Sequence, residues 1–476
     1  MSPVKRFLEP GWLLAFGLAI ATLLVHQSTL RRVPETGSDE LATIGKVRNL
    51  ILDEWVEEPT PERRERMRYG AVEGMAAQLD PYSEFIPPEK KERWDEDTNG
   101  EFGGLGVLIS IESGSVVIVA PYEGTPAWEA GILPGDRVVE IDGVHYEFQT
   151  QEDATRKLRG KVGTSVELLV ENAKRPAPVR LRIKRAVIKV QSVKGARVLA
   201  AAAQGERIGY LRVTNFQEPT VDEFDRAIAS LTSQGISGLV IDLRGNPGGF
   251  LAKATDLASR FLDPGQTVVI TRGRDDKNET KTLAEASHEA PVIRLPAAVL
   301  IDGGSASASE VLAGALRDNS RATLVGSRSF GKGSVQSLFP IDEGKAKLKL
   351  TTHHYCTPSG RNIHRIEGMT EKDEWGLVPD IAVPLDAKQR QELLKQEYDL
   401  DLEELRAKRD PGSQPADRSH LIRDPQLEAA LDHVARVIRH EAKLAQPEPR
   451  TAPLPSDVAT VNTLGTPKKD PRPGGG

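Results

Sequence analysis

The sequence predicts a multidomain α/β protein with flanking helical segments. Three observations carry that expectation. The chain has 476 residues, more than one ordinary core holds, so two or three domains are expected. Between Glu206 and Pro384, apolar strand-like runs alternate with helical patterns, as in an α/β core. Between Glu101 and about Ala186, the chain breaks instead into short strands and two helical pieces punctuated by glycine and proline.

At the N-terminus, Lys5 and Arg6 precede an apolar stretch from Trp12 to Val25, and residues 10–30 are uncharged. A membrane span needs about 20 mostly apolar residues. His26, Gln27, Ser28 and Thr29 make this one marginal, and a secretory signal peptide competes with it. No good small-x-small cleavage site follows Val25, which favours an uncleaved anchor. Arg31 and Arg32 nearly balance Lys5 and Arg6; the α-amino group, together with a family resemblance carried by motifs further along the chain, tips the orientation toward export of the body. Arg32 to Asp39 reads as a linker. Leu41 to Leu52 and Glu62 to Leu79 carry helical spacing, broken by Pro59 and Pro61. Asp80-Pro81-Tyr82-Ser83-Glu84-Phe85 closes this helical part.

In the β-rich segment the candidate strands are Gly106 to Ile111, Ser115 to Ala120, Arg137 to Ile141, Ser165 to Val170 and Val179 to Lys184. In the α/β segment they are Ile208 to Val213, Leu239 to Leu243, Val268 to Thr271, Val299 to Ile301 and Thr323 to Val325. Helices are expected at Val221 to Leu231, Lys253 to Phe261 and Val311 to Leu316. Further on, Gln389 to Arg406 reads as a very charged helix and Pro425 to Ala442 as a better amphipathic one. A self-association surface and a solvated extension stand about even for these two. The tail beyond Leu444 is rich in Pro, Thr and Gly and reads as disordered. The domain boundaries follow as 1–38, 39–100, 101–186, 187–386, 387–445 and 446–476.

The net charge of −6 and the scattered Lys and Arg give no footprint for nucleic acid. Cys356 is the sole cysteine, which excludes an intrachain disulfide and any cysteine-based metal cluster. No metal or cofactor is expected.

The chemistry concentrates at strand ends. The apolar run Ala297 to Ile301 ends in a glycine pair and the serines Ser305, Ser307 and Ser309, before a helical pattern at Val311. A serine there meets unpaired N–H groups and the positive end of a helix dipole, a place that favours an oxyanion. Such a serine needs a base, and Lys332, flanked by Gly331 and Gly333, supplies a candidate. The run Gly238 to Leu243 leads likewise into Arg244-Gly245-Asn246-Pro247-Gly248-Gly249, so two strand ends are placed to converge on one site. His353 and His354, with Asp302 or Asp318, offer a rival Ser-His-Asp site but lack triad spacing and a third metal ligand.

Three stretches in order resemble the carboxy-terminal processing peptidases, or tail-specific proteases, a family of Ser-Lys serine peptidases. They are Asp242-Leu243-Arg244-x-Asn246-x-Gly248-Gly249, Gly304-Ser305-Ala306-Ser307-Ala308-Ser309-Glu310, and Phe330-Gly331-Lys332-Gly333-x-x-Gln336. The resemblance runs from about Leu41 to about Asp386 and implies a crotonase-like α/β peptidase core. It also implies a nucleophile 25 residues before the lysine, which is Ser307. Lys332 becomes the general base, its ammonium disfavoured by burial, and Gln336 orients it. The amide of Ala308 forms half of the oxyanion hole and that of Gly249 the other, with Gly248 in reserve. Glu310 and Ser329 match family positions with supporting roles.

Gly103-Gly104-Leu105-Gly106-Val107 is similar to the carboxylate-binding loop of a PDZ domain, and Ala130-Gly131-x-x-Pro134-Gly135-Asp136 follows at PDZ spacing. The resemblance implies that backbone amides meet a terminal carboxylate while the peptide adds a strand to the sheet edge. Leu105, Gly106, Val107 and Ile109 are the candidate substrate-binding residues. The expected partners are proteins with unstructured apolar C-termini, the membrane through the N-terminal segment, and a second copy through helical extensions. The expected compartment is extracytoplasmic. One departure from the family pattern is the long stretch from Ile366 to Trp375 before Gly376-Leu377-Val378-Pro379-Asp380. A catalytically silent PDZ scaffold and a crotonase-like acyl-CoA enzyme are the alternatives; the intact Ser307, Lys332 and Gln336 argue against the first, the PDZ segment and anchor against the second.

Overall fold

The structure is a computed structural model that describes residues 38–99, 101–189, 191–200, 205–274, 279–285, 292–409 and 422–444. The apolar N-terminal segment and the tail 446–476 lie outside the described residues. Among the described residues no helix is long and apolar enough to cross a membrane.

The chain divides into two units at Leu79/Asp80. The first holds helices α1 (Ser38–Glu54) and α2 (Pro61–Ala76). Thr60 caps α2 by accepting the Arg63 amide at 3.3 Å, and Pro61 occupies the first turn, where no N–H partner is needed.

The second unit begins earlier than a boundary at residue 100. Strand β1 (Glu84–Ile86) and helix α3 (Pro88–Asn99) belong to it, and β1 pairs antiparallel with a strand far along the chain, Phe85 opposite Leu348. Sequence periodicity could not reveal so distant a partner. Strand β2 (Glu101–Gly104) then leads into the β-rich region.

That region is a five-stranded antiparallel sheet in sequential order: β3 (Val107–Glu112), β4 (Ser115–Pro121), β5 (Arg137–Ile141), β6 (Ser165–Glu171) and β7 (Val179–Lys184). Its helices are α4 (Pro126–Glu129) and α5 (Gln151–Leu158). Alternate residues such as Val166, Leu168 and Val170 point into one core with Ile118 and Ala154, as period-two burial requires. Strand β8 (Ala186–Lys189) pairs back with β2, so a two-stranded ribbon carries both connections of this region to the rest of the chain.

The α/β core is a six-stranded sheet. Strand β9 (Val193–Ala200) is antiparallel to β10 (Arg207–Val213). The remaining strands run parallel: β11 (Gly238–Asp242), β14 (Ala297–Ile301), β15 (Thr323–Gly326) and β18 (Ile381–Ala382). Helices α6 (Thr220–Ser233), α7 (Leu251–Ser259) and α8 (Ala308–Asp318) supply the crossovers and cover one face, against Leu211, Leu239, Ile241, Val299 and Ile301. The other face, with Ile208, Tyr210, Val240, Ala298 and Leu300, is covered by Ala430, Val434 and Ala435 of α10 (Pro425–Leu444). Both faces are buried, which is why these strands read as continuous apolar runs.

A second sheet flanks the core, and the sequence patterns mark only part of it. It contains β12 (Thr267–Arg272), β13 (Glu279–Leu283), and the long hairpin β16 (Ser334–Ile341) and β17 (Ala346–Cys356), with β1 on the other edge of β17. Two of the charges of helix α9 (Ala387–Arg409) dock it on the sheet: its Glu397 and Asp401 accept from Arg212 of β10. Thus the two C-terminal helices, read as either a self-association surface or a solvated extension, pack against their own chain.

Candidate active site

Strands β11 and β14 are neighbours in the sheet, so the turns that follow them meet. Asp302 Oδ1 accepts the Gly245 amide at 2.8 Å and the Gly304 amide at 2.9 Å. Ser305 Oγ donates to Leu243 O at 2.8 Å, and Ser309 Oγ donates to Asn246 O at 2.9 Å. Both hydroxyls are buried and committed to the neighbouring turn. Ser307 sits between them, half-buried, at the start of α8. The three serines that the residues alone left equal therefore have different surroundings.

Ser307 has φ +57° and ψ −117°, a sparsely populated conformation for a residue with a Cβ. Holding a residue there costs on the order of 1–3 kcal/mol, so its surroundings must fix it. Its amide donates to Glu310 Oε2 at 2.9 Å. The turn that carries Asn246 also closes on it: a Cβ added at Gly248 would stand 2.8 Å from Ser307 Cβ, and one at Gly249 would stand 2.1 Å from Phe216 O. Only glycine allows that approach. The Gly248 amide donates to Asn246 Oδ1 at 2.9 Å. Among the described residues no hydrogen-bond acceptor appears for the amides of Gly249 and Ala308.

Glu310 is the centre of the arrangement. Its carboxylate is buried and accepts from the amide of Ser307, the amide of Gly331 at 2.8 Å, the amide of Lys332 at 2.9 Å and the hydroxyl of Ser329. One carboxylate thereby joins the start of α8 to the loop that carries Lys332. Burial pushes its pKa up, and these hydrogen bonds oppose the rise only in part. The motif assigns Glu310 a supporting place; the geometry makes it the anchor.

Lys332 is half-buried between Gly331 and β16. Burial lowers its pKa, Lys349 lowers it further, and Glu310 opposes them. Its carbonyl accepts from Tyr355 Oη, and the Tyr355 hydroxyl also lies among the side chains of Ser307 and Glu310. Its Nζ lies 4.7 Å from the centre of the Tyr82 ring. Gln336 departs from the expected contact: its Nε2 donates to Ser334 Oγ at 2.9 Å and Thr351 Oγ1 at 3.2 Å rather than meeting the lysine. The sequence marks Tyr82 only as part of the junction Asp80 to Phe85 and gives Tyr355 and Thr351 no role, because all three arrive from segments remote along the chain.

The rival histidines are engaged elsewhere. His353 Nδ1 is 2.9 Å from Thr352 Oγ1, and the His354 ring lies 4.8 Å from that of His364. Asp318 accepts the Ser359 amide at 3.1 Å, while Asp302 binds the turns. The long stretch 366–375 is ordered around Trp375, whose Nε1 donates to Thr370 O at 2.9 Å and whose ring lies under Arg328 and Arg365.

In the five-stranded region, β3 is an edge strand beside α5. Leu105 and Ile109 are 2% and 6% exposed and belong to the core there, Val107 is half-buried, and the Gly106 carbonyl accepts from Thr125 Oγ1 at 3.1 Å. Gln151, at the start of α5, donates from Nε2 to Ile109 O at 3.0 Å, so one outward carbonyl of the edge already has a partner.

Comparison with known proteins adds to this geometry. The model of peptidase family S41 matches residues 207–383, and a PDZ domain model matches residues 117–172. A carboxy-terminal-processing protease of Bartonella bacilliformis is 34% identical over 439 residues, 89% of this chain and 94% of that protein. A carboxyl-terminal-processing protease of Synechocystis is 37% identical over 70% of this chain and 74% of its own length. Carboxy-terminal processing protease CtpB of Bacillus subtilis is 35% identical over 68% of this chain and 65% of its own.

Proposed function

We propose a serine–lysine mechanism for this protein, on the premise that the chain belongs to the carboxy-terminal processing proteases of peptidase family S41 and hydrolyses peptide bonds. Ser307 is the nucleophile and Lys332 the general base. The observation that carries this reading is the buried Glu310 carboxylate, which ties the Ser307 and Lys332 amides to one point. A half-buried lysine with a lowered pKa supplies the neutral amine that a serine hydroxyl requires. The oxyanion formed on attack is received by the amides of Ala308 and Gly249; the Gly248 amide already serves Asn246. One such donor is worth about 2.7–4 kcal/mol in the transition state. Gln336 acts on the lysine indirectly, by fixing Ser334 and Thr351 beside it.

The substrate is an unstructured protein tail with an apolar end. The edge position of β3 and the Leu105-Gly106 turn between β2 and β3 support strand addition with a free carboxylate at the amides of the stretch Gly103 to Val107. We read the body as exported and tethered by the N-terminal segment, with residues 101–186 as the PDZ domain and 187–386 as a crotonase-like core. Self-association is assigned to the helical extensions, among which α1 exposes Leu41, Ile44, Val47 and Ile51.

The test is kcat/KM on matched unstructured peptides with free, amidated or acidic ends. Ser307→Ala and Lys332→Ala should abolish cleavage, and Lys332→Arg should too, since arginine keeps its proton. Wild type should prefer the free apolar end by roughly 10-fold or more, since an amidated end forfeits a charge-assisted contact. An active Lys332→Arg overturns the dyad; equal rates for free and amidated ends overturn tail recognition.

A further inference from the structure

The segment Asp80-Pro81-Tyr82-Ser83 has no part in the chemistry above, yet the structure aims it at the base. The Tyr82 ring centre is 4.7 Å from Lys332 Nζ. Its backbone is fixed by Asp80, whose Oδ1 accepts the Tyr82 amide at 2.8 Å and the Ser83 amide at 2.9 Å, and whose Oδ2 accepts Ser83 Oγ at 2.7 Å. Thr351 of β17 completes the anchor: its amide donates to Ser83 Oγ at 3.1 Å and its hydroxyl to Asp80 Oδ1 at 3.1 Å. The same hydroxyl receives Gln336 Nε2, and Gln336 lies on the strand that follows Lys332. Strand β17 thus holds the segment that carries the ring and also the strand that follows Lys332.

We propose that Tyr82 is a positioning residue for Lys332, its ring face receiving the ammonium that forms during catalysis. This rests on the serine–lysine reading. In that step the Oγ–H bond of Ser307 breaks and its proton passes to the Lys332 lone pair. Oγ bonds to the substrate carbonyl carbon, and the carbonyl π pair moves to oxygen. When the intermediate collapses, the oxyanion pair re-forms the carbonyl, the C–N bond breaks, and the ammonium gives its proton to the leaving nitrogen. An aromatic face attracts the cation and not the neutral amine, so the ring acts on the charged states between these two transfers. The surrounding charged and titratable groups are Glu310 of α8, Lys349 and Tyr355 of β17, and Asp80. Burial and Lys349 favour the neutral base; the ring and Glu310 favour the ammonium. The contact therefore also holds the resting lysine protonated to a higher pH than burial alone would allow.

The experiment is the pH profile of kcat/KM on a free-ended peptide, for wild type, Tyr82→Leu, Tyr82→Phe and Lys332→Ala. Tyr82→Leu should lower the high-pH plateau about 5–30-fold, the range of a partly desolvated cation–π contact, and move the apparent pKa down. Tyr82→Phe should recover most of the lost plateau. A series of increasingly fluorinated phenylalanines at position 82 keeps the ring's shape and should lower the plateau in step with its weakened face. A wild-type plateau and apparent pKa in Tyr82→Leu, or a flat fluorinated series, overturns the proposal while Lys332→Ala remains inactive. An active Lys332→Ala overturns the serine–lysine reading instead, and this proposal with it.

Discussion

Asp242 and Glu310 are two carboxylates beside the ends of neighbouring strands, and each is 1% exposed. Their partners differ in kind. Asp242 meets a cation: Arg244 Nη2 at 2.6 Å and Nε at 3.0 Å, with Tyr210 Oη at 2.9 Å. Burial pushes the Asp242 pKa up, Arg244 outweighs it, and the carboxyl ends lowered. Arg244 also binds Asp424 at 2.9 Å and Gln426 at 3.1 Å, so this region fastens the start of α10 to the sheet. The hydrogen bonds of Glu310 come from amides and hydroxyls, and its carboxyl ends raised. The ion-paired region secures the fold. The neutral-donor region fixes where Ser307 and the Lys332 loop stand, and keeps a charge poorly compensated to do so.

Glu310 is the carboxylate whose loss separates the two regions most sharply. In Glu310→Gln the carboxamide keeps one acceptor and turns an NH2 group toward amides that also donate. Oε2 holds the Ser307 and Lys332 amides and Oε1 holds the Ser329 hydroxyl and the Gly331 amide, so the single remaining oxygen keeps one pair while the NH2 group faces the other, and the loop that carries Lys332 loses half of its anchor. We expect kcat to fall about 10²–10³-fold, of the order lost with an oxyanion-hole donor, with the unfolding midpoint little changed or raised by removal of a buried charge. A drop in stability with kcat intact would reverse the roles given to the two carboxylates.

Asp242→Asn should do the opposite. Arg244 would remain buried with less than its compensating charge, and breaking a buried pair costs about 3–5 kcal/mol. Denaturant unfolding should record that loss, while kcat of the folded fraction stays near wild type. The acid dependence has a definite sign. A lowered folded pKa means that Asp242 stabilises above the ordinary carboxylate range, and that the contribution is lost as pH falls through the folded value. In the variant, that acid-side portion of the stability curve should disappear.

The fold was legible where burial is local. The strand runs Ile208 to Val213 and Arg137 to Ile141 and the helix Pro425 to Ala442 fall on observed elements, because a single segment's own pattern decides them. Strands β1, β9 and β13 escape such a reading, because their pairing partners lie elsewhere and their composition is mixed. At the site, glycine-rich strand ends identified the two turns. What holds them together was legible only in part: the resemblance gave Glu310 a supporting role without showing that its carboxylate joins both segments, and the placing of Tyr355 from β17 and Tyr82 from the segment before β1 was illegible. Spacing along one chain reports helix caps and turns; it does not report which remote aromatic faces a lysine.

The smallest expected effect concerns Ser309, which lies between the two regions. Its hydroxyl donates to Asn246 O in the turn after β11, while its helix begins at Ser307. It carries no charge, and its loss leaves one carbonyl without a side-chain donor. The same carbonyl still accepts the Ala306 amide at 2.9 Å. Ser309→Ala should therefore cost only about 0.5–1.5 kcal/mol of stability, the net worth of an ordinary hydrogen bond. The two turns stay joined through Asp302 and Ser305, so kcat/KM should fall less than about threefold, well short of the catalytic loss expected for removing an oxyanion donor. Calorimetry and peptide kinetics on the same preparation measure both quantities. A loss in kcat/KM as large as that of Glu310→Gln would mean that the turn-to-turn bond, and not the carboxylate, sets the position of Ser307.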